Sequence, residues 1–239
     1  MRRRFVPAVL GRSSAGDGVI RRTFVIAIDG PAASGKSSTA QMVAEKLGYL
    51  HVDSGSLYRA ATAAILRRER DVSKWTEDSV LDAARPVELR AARTSFYPLL
   101  EGRAIEEEIR GPDVTRNVSR VAQMPRVRTW VNEKVRSAAK LSDVVVDGRD
   151  MGTVVFPEAD LKIFLVADSR ERAARRLRQR GTPTSEQMLD DETIRIIERD
   201  ARDAQQTVPA TDAVVIDTTG LTQQEQVEQI VSLSKQRSG

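Results

Sequence analysis

The chain has 239 residues, enough for one large α/β domain or a core with a small insert, and its formal net charge is +4. It contains no cysteine and only one histidine, which excludes disulfides, Cys-ligated zinc and a cysteine nucleophile and argues against a His-based triad. No apolar stretch approaches the ~20 residues that a membrane span needs, so we expect no membrane partner.

Residues 1–22 differ from the rest of the chain in composition. They are rich in arginine, at Arg2–Arg4 and Arg21–Arg22, and poor in acidic residues, as transit peptides are. Twin arginines are also a feature of export signals. The apolar part of this segment is short and contains Pro7, which argues against export. We therefore expect a disordered N-terminal extension, followed by one domain over residues 23–239.

A phosphate-binding loop is the clearest motif of the chain. The apolar run from Phe24 to Ile28 predicts a strand, and Gly-Pro-Ala-Ala-Ser-Gly-Lys-Ser follows from Gly30 to Ser37. Glycines let successive backbone N–H groups face one anionic group, and the positive end of the next helix adds to the attraction. In such loops the lysine reaches the β- and γ-phosphates and the serine hydroxyl ligates Mg²⁺. The sequence therefore predicts a nucleoside triphosphate site at Lys36 and Ser37.

The spacing of apolar residues predicts a helix directly after the loop. These residues fall at i, i+3, i+4 and i+7, namely Ala40, Val43, Ala44 and Leu47. Gly48 follows at the place of a C-cap glycine. His51 then alternates with apolar neighbours in a second predicted strand, and we interpret it as structural.

The segment between residues 75 and 118 has a different pattern. Short alternating pieces, Val87–Leu89 and Phe96–Leu100, are separated by polar turns and predict a small insert with an antiparallel sheet. We expect Trp75 and Trp130 to lie in the core.

Further apolar runs alternate with helical stretches and predict the fold class. They lie at Val144–Val146, Leu161–Val166 and Ala213–Ile216, and runs of this kind end in acidic residues such as Asp29 and Asp147. Short apolar strands separated by helices predict an α/β fold, a parallel sheet covered by helices on both faces. A capping box, Thr222 with Glu225, predicts the start of a last helix.

Charged residues follow these strands at the edge where open α/β sheets bind ligands. Asp147, Arg149 and Asp150 come directly after Val144–Val146, and six arginines lie between Arg170 and Arg180. A phosphate loop alone is compatible with a GTPase, an ATP-driven motor, a small-molecule kinase or an uptake ATPase. The string Asn-Lys-x-Asp, which reads guanine, does not occur. The place of Asp147 after an apolar strand favours a Mg²⁺-linked role for its carboxylate over an ordinary ion pair with Arg149.

At this point the chain resembles the bacterial cytidylate kinase family, nucleoside monophosphate (NMP) kinases of the phosphate-loop class. The matching strings run from about Phe24 to Thr219 in order, and they are GPAASGKSS, VDSGSLYR, VS-x-VA-x-x-PRVR at Val118–Arg128, VVVDGRDMGTVVFPEADLKIFL and ERD-x-x-D at Glu198–Asp203. The segment DGRDMGTVVFP is specific to this family. The resemblance implies a phosphate-loop NTPase fold with an NMP-binding insert at about 75–118 and an arginine-rich lid at about 170–205.

The resemblance also implies the site residues. ATP would be bound by Gly30, Pro31, Ala32, Ala33, Ser34, Gly35, Lys36, Ser37, Ser38, Arg172, Arg175 and Arg176. CMP would be bound by Ser54, Arg59, Ser119, Arg128, Arg149, Asp150, Arg199 and Asp203. In this second set Arg59 and Arg149 would clamp the phosphate, Ser119, Arg128 and Asp150 would read the cytosine, and Arg199 and Asp203 would approach the ribose. We expect Lys36, Arg59 and Arg149 to be catalytic and Mg²⁺ to be held by Ser37 and Asp147.

The function implied is ATP-dependent phosphorylation of CMP and dCMP to CDP and dCDP, by a cytoplasmic monomer without a nucleic-acid partner. An ionised acceptor phosphate needs no general base, which suits a chain rich in arginine and poor in histidine. Two alternatives stay open: a kinase for another small acceptor, such as UMP, AMP or shikimate, and an ATP-binding module associated with nucleic acid.

One position departs from the family pattern. Cytidylate kinases usually carry an arginine three residues after the aspartate that approaches the ribose, followed by a longer Pro-containing stretch. Here Gln206 stands three residues after Asp203, and the stretch to Pro209–Ala213 is a few residues short. We therefore expect weaker CMP binding than in a relative that has the arginine.

Overall fold

The computed structural model describes residues 22–181 and 185–238. Within them the chain forms two sheets. The strands are β1 (Val25–Asp29), β2 (Leu50–Asp53), β3 (Val87–Ala91), β4 (Phe96–Leu100), β5 (Arg103–Ala104), β6 (Val144–Gly148), β7 (Leu161–Val166) and β8 (Val214–Asp217). The expectation for residues 1–22 lies outside the described residues except for Arg22.

Nine helices of the described residues lie between these strands or after β8. They are α1 (Lys36–Leu47), α2 (Ser54–Arg68), α3 (Glu77–Ala84), α4 (Glu106–Arg110), α5 (Pro112–Ala122), α6 (Pro125–Ala139), α7 (Ser169–Gln179), α8 (Glu186–Asp203) and α9 (Gln223–Ser238). A 3₁₀ turn spans Val72–Lys74 and a π-helical turn spans Met151–Val155. No helix among the described residues combines the length and the apolar character that crossing a bilayer requires.

The main sheet is parallel, with the strand order β2-β6-β1-β7-β8. Alternate side chains of β1 enter two separate cores: Val25 and Ala27 pack with α2, α3, α5 and α6, while Ile26 and Ile28 pack with α1 and α9. The predicted parallel sheet with helices on both faces is therefore confirmed.

The smaller sheet is antiparallel, with the order β3-β4-β5. Its β3–β4 turn reaches the main sheet, where the backbone N–H of His51 donates to the carbonyl oxygen of Thr94 at 3.0 Å. Trp75 is buried, as expected, and Trp130 is partly buried against the same core.

Two local predictions about helix ends are met in the structure. Gly48 ends α1 in the left-handed conformation at φ 73°, which glycine adopts without steric cost. Before α9, the backbone N–H of Thr222 donates to Glu225 at 2.8 Å and the Glu225 N–H donates back to the Thr222 hydroxyl at 3.3 Å. This is the reciprocal capping box that the sequence predicts.

Candidate active site

The phosphate loop connects the end of β1 to the start of α1. Its backbone has positive φ at Gly30 (151°), Ala33 (58°) and Gly35 (89°). A side chain does not fit at Gly30, because a Cβ atom there would lie 2.3 Å from the carbonyl oxygen of Leu165. The glycine thus lets the loop lie against β7, at the edge where the strands of the parallel sheet end.

Lys36 is buried at the start of α1, and its ammonium donates to the carbonyl oxygen of Pro31 at 2.9 Å. The pKa of Lys36 is lowered to about 7, mainly by burial and to a smaller extent by repulsion from Arg149, while attraction to Asp147 raises it. A phosphate group beside this ammonium would favour its charged form. The electrostatics of Lys36 are therefore those of an anion site.

Asp147 links β6 to the loop and to β2. Its Oδ2 accepts from the Ser37 hydroxyl at 2.6 Å, and its Oδ1 lies 2.7 Å from Nε2 of His51. Burial alone would raise the pKa of Asp147, but His51, Lys36 and the Ser37 hydroxyl together outweigh burial and lower this pKa. The carboxylate is thus held ionised beside the Ser37 hydroxyl, and Arg149 contacts Asp203 instead.

One cavity of about 240 Å³ brings together the residues expected to bind the acceptor nucleotide. We call it the acceptor cavity. Its lining includes all eight of them, Ser54, Arg59, Ser119, Arg128, Arg149, Asp150, Arg199 and Asp203. They come from α2, α5, α6, α8 and the turn after β6. Gln206 lines the same cavity.

Ion pairs between cavity residues hold most of these side chains. Arg128 pairs with Asp150, and Nη2 of Arg149 lies 3.3 Å from Oδ2 of Asp203. Nε of Arg199 lies 3.7 Å from the same oxygen of Asp203. Burial, followed by repulsion from Arg149, lowers the pKa of Arg199 to about 10. The cavity therefore holds crowded cations, an environment that favours an anionic ligand.

A second, wider groove of about 1220 Å³ is lined by the loop and by α7, and we call it the donor groove. Arg175 and Arg176 line it, as does Ser38. Seven residues line both the groove and the acceptor cavity: Ala33, Lys36, Ser37, Asp53, Arg59, Arg110 and Arg199. The two spaces therefore meet at residues that include the lysine and the serine of the phosphate loop.

Arg172 behaves differently from its two neighbours on α7. Its guanidinium is buried, where Nη1 donates to the carbonyl oxygen of Ala32 at 2.9 Å and to Asp200 at 2.6 Å. Arg172 thus supports the backbone of the phosphate loop from inside the protein. Its direct contact with ATP stays a prediction.

The sequence analysis missed two features of the site. Tyr58 lines the acceptor cavity with only 8 % of its surface exposed, and its buried hydroxyl has no hydrogen-bond partner within the described residues. Tyr58 follows Ser54 by one helical turn, so helical spacing in VDSGSLYR could have indicated it. The second missed feature is the contact between His51 and Asp147, for which the sequence carries no local signal.

Comparison with known proteins identifies the family of this chain without reference to the geometry of the cavity. A sequence model of the family described as cytidylate kinase matches residues 26–236. The chain is 44 % identical over 211 residues to a cytidylate kinase of Bordetella bronchiseptica, which covers 87 % of this chain and 93 % of the relative. It is 40 % identical over 214 residues to a cytidylate kinase of Alkaliphilus oremlandii, covering 88 % and 97 %. A cytidylate kinase of Desulfitobacterium hafniense is 41 % identical over 222 residues, covering 90 % and 94 %.

Proposed function

The chain belongs to the cytidylate kinase family, and we propose that it transfers the γ-phosphate of ATP to CMP and dCMP, forming CDP and dCDP. The observation that carries this proposal is the junction of the donor groove and the acceptor cavity at Lys36 and Ser37. A donor phosphate at this junction would face an acceptor phosphate in the cavity. Transfer between two bound polyanions depends above all on such alignment.

On the donor side, the backbone from Gly30 to Ser38 would surround the phosphates, and Arg175 and Arg176 would approach them from α7. Ser37 and Asp147 fit Mg²⁺, because a hydroxyl and an ionised carboxylate 2.6 Å apart are hard oxygen ligands. Mg²⁺ usually takes one or two protein oxygens together with substrate phosphates, and Ser37 and Asp147 would supply those protein oxygens. When bound, the ion would neutralise charge on the phosphates.

On the acceptor side, Arg59 and Arg149 would clamp the CMP phosphate with planar guanidinium groups. Cytosine presents an exocyclic amine as a donor, and the carboxylate of Asp150 can accept from it. Arg128, which pairs with Asp150, and Ser119 would complete the reading of the base.

The catalytic groups would be Lys36, Arg59 and Arg149, which stabilise charge that develops on the transferring phosphoryl group. The acceptor oxygen is already ionised near neutral pH, so no residue has to remove a proton. Closure of the arginine-rich segment would exclude water and suppress hydrolysis of ATP.

An ADP-release assay tests the proposal. Purified protein with ATP and Mg²⁺ receives CMP, dCMP, UMP, AMP or GMP in turn, and Lys36→Ala is the matched inactive control. We expect CMP and dCMP to have the highest kcat/KM. Faster turnover of another acceptor, or equal ADP release without any acceptor, would contradict the proposal.

The family membership does not favour UMP, AMP or shikimate as acceptor, nor a nucleic-acid-associated module. The monomeric state, the absence of a nucleic-acid partner and the cytoplasmic location stay predictions. Oligonucleotide binding that weakens steeply with salt would argue for the nucleic-acid alternative.

A further inference from the structure

Asp29 is a buried carboxylate that the mechanism above does not use. It is the last residue of β1 and is 5 % exposed. Its Oδ1 accepts from the backbone N–H of Met151 at 2.8 Å, and its Oδ2 accepts from the N–H of Gly152 at 2.7 Å. Both oxygens thus hold consecutive amides at the start of the π-helical turn.

The backbone of Asp29 holds the chain on the other side of the same short segment. In the parallel pairing of β1 with β6, Asp29 lies opposite Gly148, the last residue of β6. Only Arg149 and Asp150 lie between this backbone pairing and the two amides. One residue therefore fixes both ends of the segment that carries two acceptor-cavity side chains.

We propose that Asp29 is a positioning residue that orients Arg149 and Asp150 toward the acceptor nucleotide. The inference rests on the proposed function, because the acceptor is taken to be CMP. Asp29 lines neither the acceptor cavity nor the donor groove, so it acts through the backbone of residues 149–152. Arg149 also donates to the carbonyl oxygen of the adjacent Gly30, at 3.3 Å, which strengthens the link to the end of β1.

The charge of Asp29 argues for a role beyond packing. Burial raises the pKa of Asp29 to about 6, although the hydrogen bonds from the amides of Gly152 and Met151 lower it. Asp150 adds a smaller increase and Lys36 a smaller decrease. Ionisation of this side chain therefore costs stability. An asparagine of the same size would avoid that cost, but its single oxygen can accept from only one of the two amides.

The test compares Asp29→Asn with Asp160→Asn in the full-length protein. Asp160 is the matched control, since its Oδ2 accepts from the backbone N–H of Val25, at 2.8 Å, at the opposite end of β1. We measure KM and kcat for CMP, UMP and ATP, and hydrogen exchange of the peptide containing Met151 and Gly152.

For Asp29→Asn we expect a roughly tenfold or greater rise in KM for CMP. The segment that carries Arg149 and Asp150 would lose its charge-assisted hydrogen bonds to a carboxylate. The preference for CMP over UMP should shrink, exchange at residues 151–152 should accelerate, and KM for ATP should stay within about twofold of wild type. Asp160→Asn should change none of these values. A merely structural role of Asp29 would lower the active fraction, and hence kcat, without moving KM or the CMP preference, and this result would overturn the inference.

If Asp29→Asn does not fold, Asp29→Glu replaces it. The glutamate keeps the charge, but its additional methylene group displaces the carboxylate, so its two oxygens cannot accept from the amides of Met151 and Gly152 as those of Asp29 do. A several-fold rise in KM for CMP supports the inference, and an unchanged KM overturns it. Failure of the wild-type protein to phosphorylate CMP would instead contradict the proposed function itself.

Discussion

Replacing Gln206 with arginine tests the departure from the family pattern. Gln206 lines the acceptor cavity, and its backbone N–H donates to the carbonyl oxygen of Asp203 at 3.0 Å, one turn after the end of α8. An arginine at this position would bring a further guanidinium to the cavity that Arg149 and Arg199 line. We expect Gln206→Arg to lower KM for CMP with little change in KM for ATP.

The magnitude follows from the surroundings of Gln206. A charged hydrogen bond at a partly exposed position contributes about 1–2 kcal/mol, which corresponds to a five- to thirtyfold lower KM, roughly. The free protein should become less stable, because the pKa of Arg199, lowered to about 10 by burial and by Arg149, shows that cations are already crowded here. CMP should therefore raise the melting temperature of Gln206→Arg more than that of wild type.

Steady-state kinetics with varied CMP and ATP, together with thermal melts with and without CMP, measure these effects. Gln205→Arg is the matched control, since Gln205 is exposed and does not line the cavity. A CMP KM that is unmoved or raised in Gln206→Arg would refute the reasoning. Either Arg199 would already supply the missing contact, or position 206 would not correspond to the family arginine.

Three further variants, a pH series with Asp29→Asn and one deletion give additional tests. Lys36→Ala should reduce kcat more than ATP affinity, measured by nucleotide titration, because the proposed role of Lys36 is to stabilise charge mainly in the transition state. Asp150→Asn and Arg128→Ala should each lower kcat/KM for CMP with little effect on ATP binding. If Asp150→Asn keeps the preference of wild type for CMP over UMP, Asp150 does not recognise the cytosine base. Burial raises the pKa of Asp29 to about 6 in the folded protein. The free energy of unfolding of wild type relative to Asp29→Asn, measured by urea titration, should therefore fall as pH rises from about 4 to 6. The fall should be up to roughly 3 kcal/mol, and the difference should be constant above pH 7. Removing residues 1–22 should leave kcat/KM for CMP unchanged, since β1 begins at Val25.

The sequence predicts the elements of this fold well, because each has a local signal. Apolar runs mark the strands of the parallel sheet, and Gly48 and the Thr222 capping box mark helix ends. The family resemblance selects side chains that the structure then collects in one cavity, although they come from segments far apart in the chain.

Contacts between distant side chains could not be predicted from such signals. His51 and Asp147 are 96 residues apart and meet because β2 pairs with β6 in one register, with Asp53 opposite Asp147. Most strands of this parallel sheet are continuous apolar runs, and without alternation of polar and apolar residues such a run does not specify the register with its neighbour. The bonds of Asp29 span 122 and 123 residues and depend in addition on the turn after β6, which has no repeating pattern to read.

The ion pairs of the acceptor cavity give a physical reason for the neutral residue at position 206. Asp203 faces both Arg149 and Arg199, so one carboxylate already balances two guanidinium groups in the free protein. A third guanidinium at position 206 would enter the same cavity and add to the repulsion there until a nucleotide phosphate is bound. The glutamine avoids this repulsion in the free protein, and on our hypothesis the same absence of charge removes one contact with the bound nucleotide. Stability of the free protein and affinity for CMP should therefore change in opposite directions at this position.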